Sequence, residues 1–336
     1  APAAKTKRLA ALAAVAEGGG EVKAMTSRLH SSLLASLVGV LLLSSSPASA
    51  ESAAKPAQKT FASAKAAADA LVAAAEKFDV AALKSILGPD GLELVVTEDE
   101  VQDRNQAKAF ATAAHEKLAV VPDPSNSKSA SIVVGAGEWP LPIPVVKSGN
   151  GWRFDVAAGR EEVFLRRIGQ NELDAIQACR NYVKAQREYA SEKRDGALVN
   201  QYAQRIVSTP GRRDGLVWIK ADGTFGGPLA EHFARAIAEG YHDQKEPYHG
   251  YYFKVLKAQG PSAPLGELDF VVQGAMIGGF ALVAAPADYE KTGVKTFVVS
   301  HDGIVYEKDL GPGTLEVFRV MERYDPDESW SPVEEP

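Results

Sequence analysis

The stretch from Gly169 to Lys193 restricts the possible folds most, because it carries two apolar stripes at helical spacing. One stripe contains Leu173, Ile176, either Cys179 or Arg180, and Val183. The stripe beside it contains Ala178, Tyr182, Ala185 and Tyr189. Residues three and four positions apart share one face of an α-helix, so the pattern predicts a long amphipathic helix. A helix with so wide an apolar face needs a second layer of structure to cover it.

Short β-prone segments after residue 250 supply that second layer. They are rich in Val, Phe and Tyr, and Gly, Pro and Asp separate them. The predicted strands are Tyr251–Leu256, Leu268–Val272, Gly279–Ala284, Lys295–Val299 and Gly303–Glu307. A shorter helix is predicted at Leu229–Ala238. We therefore expect residues 161–330 to form an α+β domain in which the long helix packs on an antiparallel sheet.

The preceding residues, 61–160, predict another α+β domain. Helical patterns cover Ala66–Ala75, Val80–Leu87 and Asn105–Leu118. Strand-like pieces are Leu92–Val96, Ser131–Gly135, Leu141–Lys147 and Trp152–Val156, and Pro122–Lys128 is predicted as a loop. Helices followed by a small antiparallel sheet resemble the cone-shaped, nuclear-transport-factor-like fold, a likeness of architecture that implies no function.

Residues 25–50 have the pattern of a secretory signal peptide. Met25 opens a short region with the basic Arg28, and the apolar run Leu33–Leu43 follows. The segment ends on Ala48-Ser49-Ala50, the small-residue pattern that a signal peptidase cleaves. The apolar run is well short of the roughly twenty residues of a membrane-spanning helix.

We therefore predict cleavage after Ala50 and a periplasmic or secreted protein. Residues 1–24 are interpreted as a leader that is not native, and residues 51–60 as a linker rich in Ala, Lys, Pro and Gln. The rest of the chain contains no segment apolar enough to cross a bilayer, so no integral membrane segment is expected in the mature protein.

Composition excludes several classes of protein and of site. The chain has 37 Lys and Arg against 43 Asp and Glu, a net charge of −6, so a broad basic surface for nucleic acid is not expected. A single cysteine, Cys179, allows no intrachain disulfide. The sequence lacks the nucleotide, dinucleotide, serine-hydrolase, zinc-protease and EF-hand motifs. We therefore assign no catalytic residue, no metal ligand and no cofactor.

Two segments of the second domain are similar to type IV pilins and pseudopilins. The segment LRRIGQNELDAIQACRNYVKAQREYA (165–190) resembles the pilin helix, with its Asn-Glu, Ala-Ile and Tyr-Ala pairs. The segments GYYFKVL (250–256) and GFALVAAPADYEKTGVKTFVVSHDGIVY (279–306) resemble the pilin headgroup. The resemblance implies a headgroup-like fold without the pilin anchor, because Glu172, Asp174 and Arg180 prevent this helix from lying in lipid.

A series of short motifs resembles one bacterial family along most of 60–330. In order they are WPLPIPVV, GWRFD, PGRRDGL, GYYFKVL, MIGGFALVA and VYEKDLGP. The family is the one called domain of unknown function 2950. Because that family has no established chemistry, the resemblance implies no catalytic residues.

The segment YHDQKEPYHGYYF (241–253) is the strongest candidate for a binding loop. Its aromatic and polar side chains have apolar bodies and polar tips, which suit ligand recognition. The candidate residues are Tyr241, His242, Asp243, His249 and Tyr251. The alternative is a surface loop whose Tyr and His side chains pack over the sheet and bond to the backbone.

A second candidate is the loop Pro210-Gly211-Arg212-Arg213-Asp214-Gly215. Its paired arginines, Arg212 and Arg213, can bind an anion through their guanidinium groups. The alternative is that one of them pairs with a carboxylate and fixes the loop.

Together these patterns predict an exported, non-catalytic module that binds an envelope or extracellular protein or assists assembly. Its expected aromatic anchors are Tyr248, Tyr251, Phe253 and Phe270. One alternative is a periplasmic hydrolase or a ligand- or metal-binding protein that uses residues 241–253. A structural envelope protein without a small-molecule site is a third possibility.

Overall fold

The computed structural model describes residues 58–241 and 246–334, which form helices and several mostly antiparallel sheets. The protein therefore has the predicted α+β class. The predicted leader and signal peptide, with residues 51–57 of the predicted linker, lie outside the described residues. Gln58 is held in place, because its Nε2 donates to the carbonyl oxygens of Ile86 and Phe154.

Three capped helices begin the described part of the chain. They are α1 (Ala64–Glu76), α2 (Val80–Leu87) and α3 (Glu100–Glu116). Ser63, Asp79 and Asp99 each accept a hydrogen bond from a backbone amide in the first turn of one helix. The predicted strand Leu92–Val96 is wrong, because Pro89–Leu94 forms a 3₁₀ helix. Pro89 at its start has the fixed φ that favours a helical turn.

The first sheet is antiparallel and packs on these helices. Its strands are β1 (Leu118–Asp123), β2 (Asn126–Val134), β3 (Trp139–Pro140), β4 (Val145–Ser148) and β5 (Gly151–Phe154). The predicted loop Pro122–Lys128 is wrong in extent, because β1 and β2 form a hairpin across it. Asp123 closes that hairpin, since its Oδ1 accepts from the amide of Ser125 at 2.8 Å.

The long helix α4 (Val156–Tyr189) connects two separate apolar cores. It begins at the Asp155 cap and runs through Gly169, the predicted start, because an internal glycine costs a helix only about 1 kcal/mol. Val156 packs in the first core, and Cys179 packs in the second. The predicted division into domains 61–160 and 161–330 remains a prediction, and its boundary falls inside α4.

The second core lies between α4 and a five-stranded antiparallel sheet. In spatial order the strands are β18 (Ser331–Pro332), β16 (Val305–Asp309), β15 (Lys295–Ser300), β14 (Ala281–Pro286) and β9 (Tyr251–Leu256). Every residue of β14 is buried, which is why this strand is almost wholly apolar. Strand β9 is one edge of the sheet.

Short elements complete the second half. Three strands form a small sheet: β6 (Arg205–Val207), β7 (Gly215–Ile219) and β8 (Phe225–Gly226). The others are β10 (Ala258–Gln259), β11 (Leu268–Asp269), β12 (Val271–Val272), β13 (Ala275–Met276) and β17 (Arg323–Tyr324). The remaining helices are α5 (Ala230–Glu239) and α6 (Thr314–Val320). Among all helices within 58–241 and 246–334, none is long and apolar enough to cross a membrane.

Candidate functional site

A cavity of about 560 Å³ opens between α4, α5 and the edge strand β9. Its volume lies in the range of small-molecule sites in proteins. Aromatic and aliphatic side chains form most of its wall, and they include Tyr182, Ile206, Leu229, Phe233, Tyr248 and Phe253. Charged and amide side chains also line it, and they include Asp174, Asn181, His232, Arg235, Glu239 and His249.

His249 lies between two carboxylates at this cavity. Its Nδ1 donates to Asp174 Oδ2 at 2.7 Å, and its Nε2 donates to Glu239 Oε2 at 3.4 Å. Its ring stacks on Tyr248 with the ring centroids 4.2 Å apart. Burial alone would lower the pKa of His249, but the hydrogen bonds and charges of Asp174 and Glu239 outweigh burial and raise it. His249 therefore joins α4 to the end of α5 through its bonds to Asp174 and Glu239.

A buried carboxylate from the first half of the chain holds the backbone next to His249. Asp99 Oδ2 accepts from Tyr241 Oη and from the amide of Gly250, both at 2.9 Å. Its Oδ1 accepts from the amide of Gln102, and this bond caps the N-terminus of α3. The Tyr241 hydroxyl in turn accepts from the amide of His249 at 3.3 Å. Asp99 thus fixes residues 246–250, the cavity loop, together with the start of α3.

At this cluster, burial and hydrogen bonding shift the pKa of Asp99 in opposite directions. Desolvation raises the pKa of Asp99, although its hydrogen bonds with Gln102, Gly250 and Tyr241 act in the other direction. Desolvation and the neighbouring Asp99 charge also raise the pKa of the Tyr241 hydroxyl. Tyr241 therefore stays a neutral hydrogen-bond donor over the physiological range.

Asn171 of α4 extends this polar network across the molecule. Its Oδ1 accepts from Gln102 Nε2, and its Nδ2 donates to the carbonyl oxygen of Thr292, both at 2.9 Å. A β-carbon at Gly250 would lie only 2.4 Å from Asn171 Nδ2. Gly250 also has φ of +74°, so both its conformation and its surroundings require glycine.

The neighbouring Glu172 fixes the turn before β15. Its Oε1 accepts from the backbone amides of Val294 and Lys295, both at 2.9 Å. The Asn-Glu pair on which the pilin resemblance partly rested therefore has a structural role here, since both side chains bind the 292–295 backbone.

Three of the predicted loop residues meet in this region. Tyr241 and His249 are hydrogen-bonded to each other, and both line the cavity together with Tyr251. His242 and Asp243 lie outside the described residues. Two expected aromatic anchors are wrong: Tyr251 is 1% exposed and Phe270 is 0% exposed, so neither can reach a partner. Both fill the core, and the Tyr251 hydroxyl donates to the Lys295 carbonyl.

The arginine loop lies away from the cavity lining in the described part of the chain. Arg212 and Arg213 are exposed, and the guanidinium of Arg213 lies 5.6 Å from the ring centroid of Trp218. Asp214 fixes the loop, because its carboxylate accepts from the amide and the hydroxyl of Thr209, both at 2.7 Å. A carboxylate also bonds to Arg213 itself, but at its backbone and not at its guanidinium group, because Asp195 Oδ2 accepts from the Arg213 amide at 2.6 Å.

Sequence reasoning did not find Asp99, Asp174 or Glu239 as site residues. Asp99 precedes a helical pattern, which is a signal for a helix cap and gives no indication of its contacts with Tyr241 and Gly250. Asp174 and Glu239 belong to polar positions of amphipathic helices, where most carboxylates are only solvated.

The two carboxylates at His249 limit its use in acid–base chemistry. Within the described residues, no group of three or more His, Cys, Asp or Glu side chains is placed to hold a metal ion. Both nitrogens of His249 are engaged by carboxylates, so neither is free to take a proton from a substrate. The cavity offers an apolar wall with fixed charges beside it.

Comparisons with known proteins place the chain in a family. No curated protein and no solved structure matches the chain, so the likeness to pilins gains no support from them. One family model matches residues 58–333, which is nearly all of the described chain. The chain therefore belongs to the DUF2950 family, described as a protein of unknown function.

Proposed function

We propose that the protein is an exported, non-catalytic binding module whose ligand occupies the cavity between α4, α5 and β9. The cavity itself carries this proposal, because its volume of about 560 Å³ and its aromatic wall are those of a ligand site. Fixed polar groups at Asp174, Glu239 and His249 would orient a bound molecule.

Export is supported by the sequence of residues 25–50. The basic start, the short apolar run and the Ala48-Ser49-Ala50 end are those of a cleaved signal peptide. On this proposal the mature protein meets its ligand in the periplasm or outside the cell, as an envelope binding or assembly module.

The hydrolase alternative has less support from the geometry. Hydrolysis by a His–carboxylate pair needs a nucleophile or a water that a free imidazole nitrogen activates. The described residues that line the cavity include no Ser, Thr, Cys or Lys. His249 is bonded to a carboxylate at each ring nitrogen, so no ring nitrogen is left to activate a water molecule.

A fluorescent probe and a cavity-filling variant test the proposal. N-phenyl-1-naphthylamine is neutral and emits strongly only in apolar surroundings, so it should bind the native protein with saturable emission. The double variant Ala178→Phe/Ala236→Phe places a ring on each wall of the cavity and should abolish that emission. The matched control is Lys184→Phe/Ala234→Phe, which adds the same rings at exposed positions of the same two helices.

Retained emission in the control together with loss in the cavity-filled variant would support a ligand site. Equal emission from both variants, with both folded by circular dichroism, would contradict it. Absence of saturable emission from the native protein would also contradict it, because the wall is apolar.

A further inference from the structure

Helix α5 turns an apolar face and a polar edge toward the cavity. Residues three or four positions apart share one side of a helix, and the residues of α5 that line the cavity form two such sets. The apolar set, which begins one residue before the helix, is Leu229, Phe233, Ala236 and Ile237. The polar set is His232, Arg235 and Glu239. The wall of the cavity therefore changes from apolar to polar across a single helix.

Helix α4 has the same arrangement. Its apolar lining residues are Ala178 and Tyr182, and its polar ones are Asp174, Gln177 and Asn181. The Tyr182 hydroxyl is already bonded, because it donates to the Ala281 carbonyl and accepts from Gln186 Nε2. Tyr182 therefore offers its ring to the cavity.

The polar sets of the two helices meet at one rim. His249 joins them, since it bonds to Asp174 of α4 and to Glu239 of α5. None of the polar lining residues of the two helices is buried, whereas the apolar ones are half-buried or buried. An apolar space below a polar rim fits an amphiphile, a molecule with an apolar body and one polar end.

The carboxylates that line the cavity already have partners. Asp174 and Glu239 share His249, and Asp174 Oδ1 also accepts from Gln170 Nε2 at 3.0 Å. Glu246 likewise has a partner. A cationic head group would therefore have to compete with bonds that these carboxylates already make.

Arg235 is the charged group of the rim that keeps bonding capacity for a ligand. Its Nη2 donates to Nδ1 of His232 at 3.2 Å, and that nitrogen can accept only while the imidazole is neutral. With the carboxylates of residues 58–241 and 246–334, the Arg235 guanidinium makes no ion pair. A guanidinium has five N–H donors, so it can still hold a carboxylate or phosphate through two of them.

Arg235 lies where the cavity opens to water. Its side chain is exposed, although it also lines the cavity. Its charge reaches a second lining residue: burial and the Glu239 charge raise the pKa of Tyr248 to about 12, and the Arg235 charge opposes that rise. An anionic head group on Arg235 would keep its contact with water, which avoids the cost of burying a charge.

We infer that the ligand of the cavity is a single-chain anionic amphiphile. Its apolar chain packs against Tyr182, Phe233 and Ala236, and its carboxylate or phosphate head bonds to Arg235. Because it names the class of molecule that the cavity binds, this inference rests on the proposed function. Free amphiphiles and the lipids of a membrane share this head-group chemistry, and the experiments below separate these two sources.

Three amphiphiles with one chain and different head charges test the inference. Decanoate, decan-1-ol and decylammonium are each titrated, below the concentration at which they form micelles, against N-phenyl-1-naphthylamine bound to the full chain. At about pH 8 the carboxyl group is ionised and the amine is protonated. Decanoate should displace the dye at a concentration about tenfold lower than decylammonium, because its head gains a charge-assisted hydrogen bond.

Variants of Arg235 test the head-group contact. Arg235→Gln removes the charge, so it should weaken decanoate binding about tenfold and leave decan-1-ol binding unchanged. Arg235→Lys keeps the charge without the planar fork and should retain part of the decanoate affinity. The matched control is Lys184→Gln, which removes an exposed positive charge of α4 outside the described cavity lining. It should leave the binding of all three amphiphiles unchanged.

Vesicle flotation separates the two sources of the head group. The vesicles are made of phosphatidylglycerol, with phosphatidylcholine vesicles as the control without net charge. Retention on phosphatidylglycerol vesicles that Arg235→Gln abolishes would assign the head group to a membrane lipid. Displacement of the dye by decanoate without retention on vesicles would assign it to a free amphiphile.

The outcomes distinguish failure of this inference from failure of the proposed function. Stronger displacement by decylammonium than by decanoate would overturn the inference, because the carboxylates would then set the charge preference. Equal loss of decanoate and decan-1-ol affinity in Arg235→Gln would also overturn it. Dye binding that decanoate does not displace would overturn the inference and leave the proposed cavity intact, whereas absence of dye binding would overturn both. If the Arg235 variants do not fold, the comparison of decanoate with decylammonium on the native protein still decides the question.

Discussion

Two loops with similar sequence signals have different relations to the rest of the molecule. The cavity loop, residues 246–250, and the arginine loop, residues 210–215, both contain Gly and charged residues, and an aspartate side chain fixes each of them by hydrogen bonds. In the cavity loop that aspartate is Asp99, which binds Gly250 from 151 positions away. In the arginine loop they are Asp214, which binds Thr209 from 5 positions away, and Asp195, which binds the Arg213 amide from 18 positions away.

The two loops differ in how far along the chain their hydrogen bonds to aspartate side chains reach. A carboxylate that bonds to its own loop stabilises a turn and leaves the side chains in water. Asp99 instead joins the start of α3 to the segment that carries His249, and it is almost wholly buried. Because this tie connects both halves of the chain, the cavity loop has one fixed position against α4, which a binding site requires.

The largest expected effect comes from matched glycine substitutions in the two loops. Gly250 and Gly211 have φ of +74° and +78°, so alanine is strained at both. A β-carbon at Gly250 would also displace Asn171, whereas nothing lies within 4 Å of one at Gly211. Gly211→Ala should lower the free energy of unfolding by about 1 kcal/mol, from backbone strain alone. Gly250→Ala should lower it by about 3 kcal/mol, because buried hydrogen bonds of Asn171 are also lost.

Urea unfolding followed by circular dichroism measures both changes. Asn171→Ala in the Gly250→Ala background removes the obstacle, so the two substitutions should be far from additive. Equal destabilisation by Gly250→Ala and Gly211→Ala would show that the cavity loop is no more constrained than the arginine loop.

A smaller effect should follow the ionisation of His249. Its raised pKa means that its ion pairs stabilise the fold fully below the unfolded pKa of about 6.5, and that this stabilisation is lost as pH rises through the folded pKa. His249→Asn keeps a residue that tolerates the φ of +48° and removes the charge. The variant should be less stable than the native protein by about 1 kcal/mol at pH 6, and this difference should narrow by about pH 9.

Urea unfolding at each pH measures the difference in free energy of unfolding between the native protein and the His249→Asn variant. Burial raises the pKa of Asp103 to about 6, so this group ionises over part of the same pH range. Because it does so in both proteins, its contribution cancels in the difference. Asp174→Asn should reduce the same pH dependence, because it removes the nearer carboxylate of His249. A difference that does not vary with pH would mean that His249 is held by packing alone.

The same contrast explains what the sequence could predict. The α+β class, helix α2 and strand β9 follow from periodicity and turn residues, which are local signals. The sequence also identified Tyr241 and His249, because an aromatic and polar cluster is visible within a few residues. The hairpin across Pro122–Lys128 was missed because its strand ends are polar and exposed, so they lack an apolar pattern.

The rest of the site depends on contacts that no local pattern encodes. Asp174 meets His249 across 75 positions, and Gln102 meets Asn171 across 69. Tyr251 and Phe270 were expected as aromatic anchors on a pilin-like sheet, yet both side chains are buried in the second core. Which side of a strand faces the core is decided by the register with β14, and the sequence of β9 does not contain that information.

The smallest effects should come from the arginine loop itself. Arg213→Ala should lower the free energy of unfolding by about 0.5 kcal/mol, because its cation–π contact with Trp218 is lost. Arg212→Ala should change it less, and neither variant should alter naphthylamine binding, since neither residue is part of the described cavity wall. Inorganic phosphate is the probe for the anion alternative. A saturable rise in thermal midpoint with phosphate that disappears in Arg212→Ala/Arg213→Ala would make this loop a site in its own right, and long-range anchoring would then not be what distinguishes the two loops.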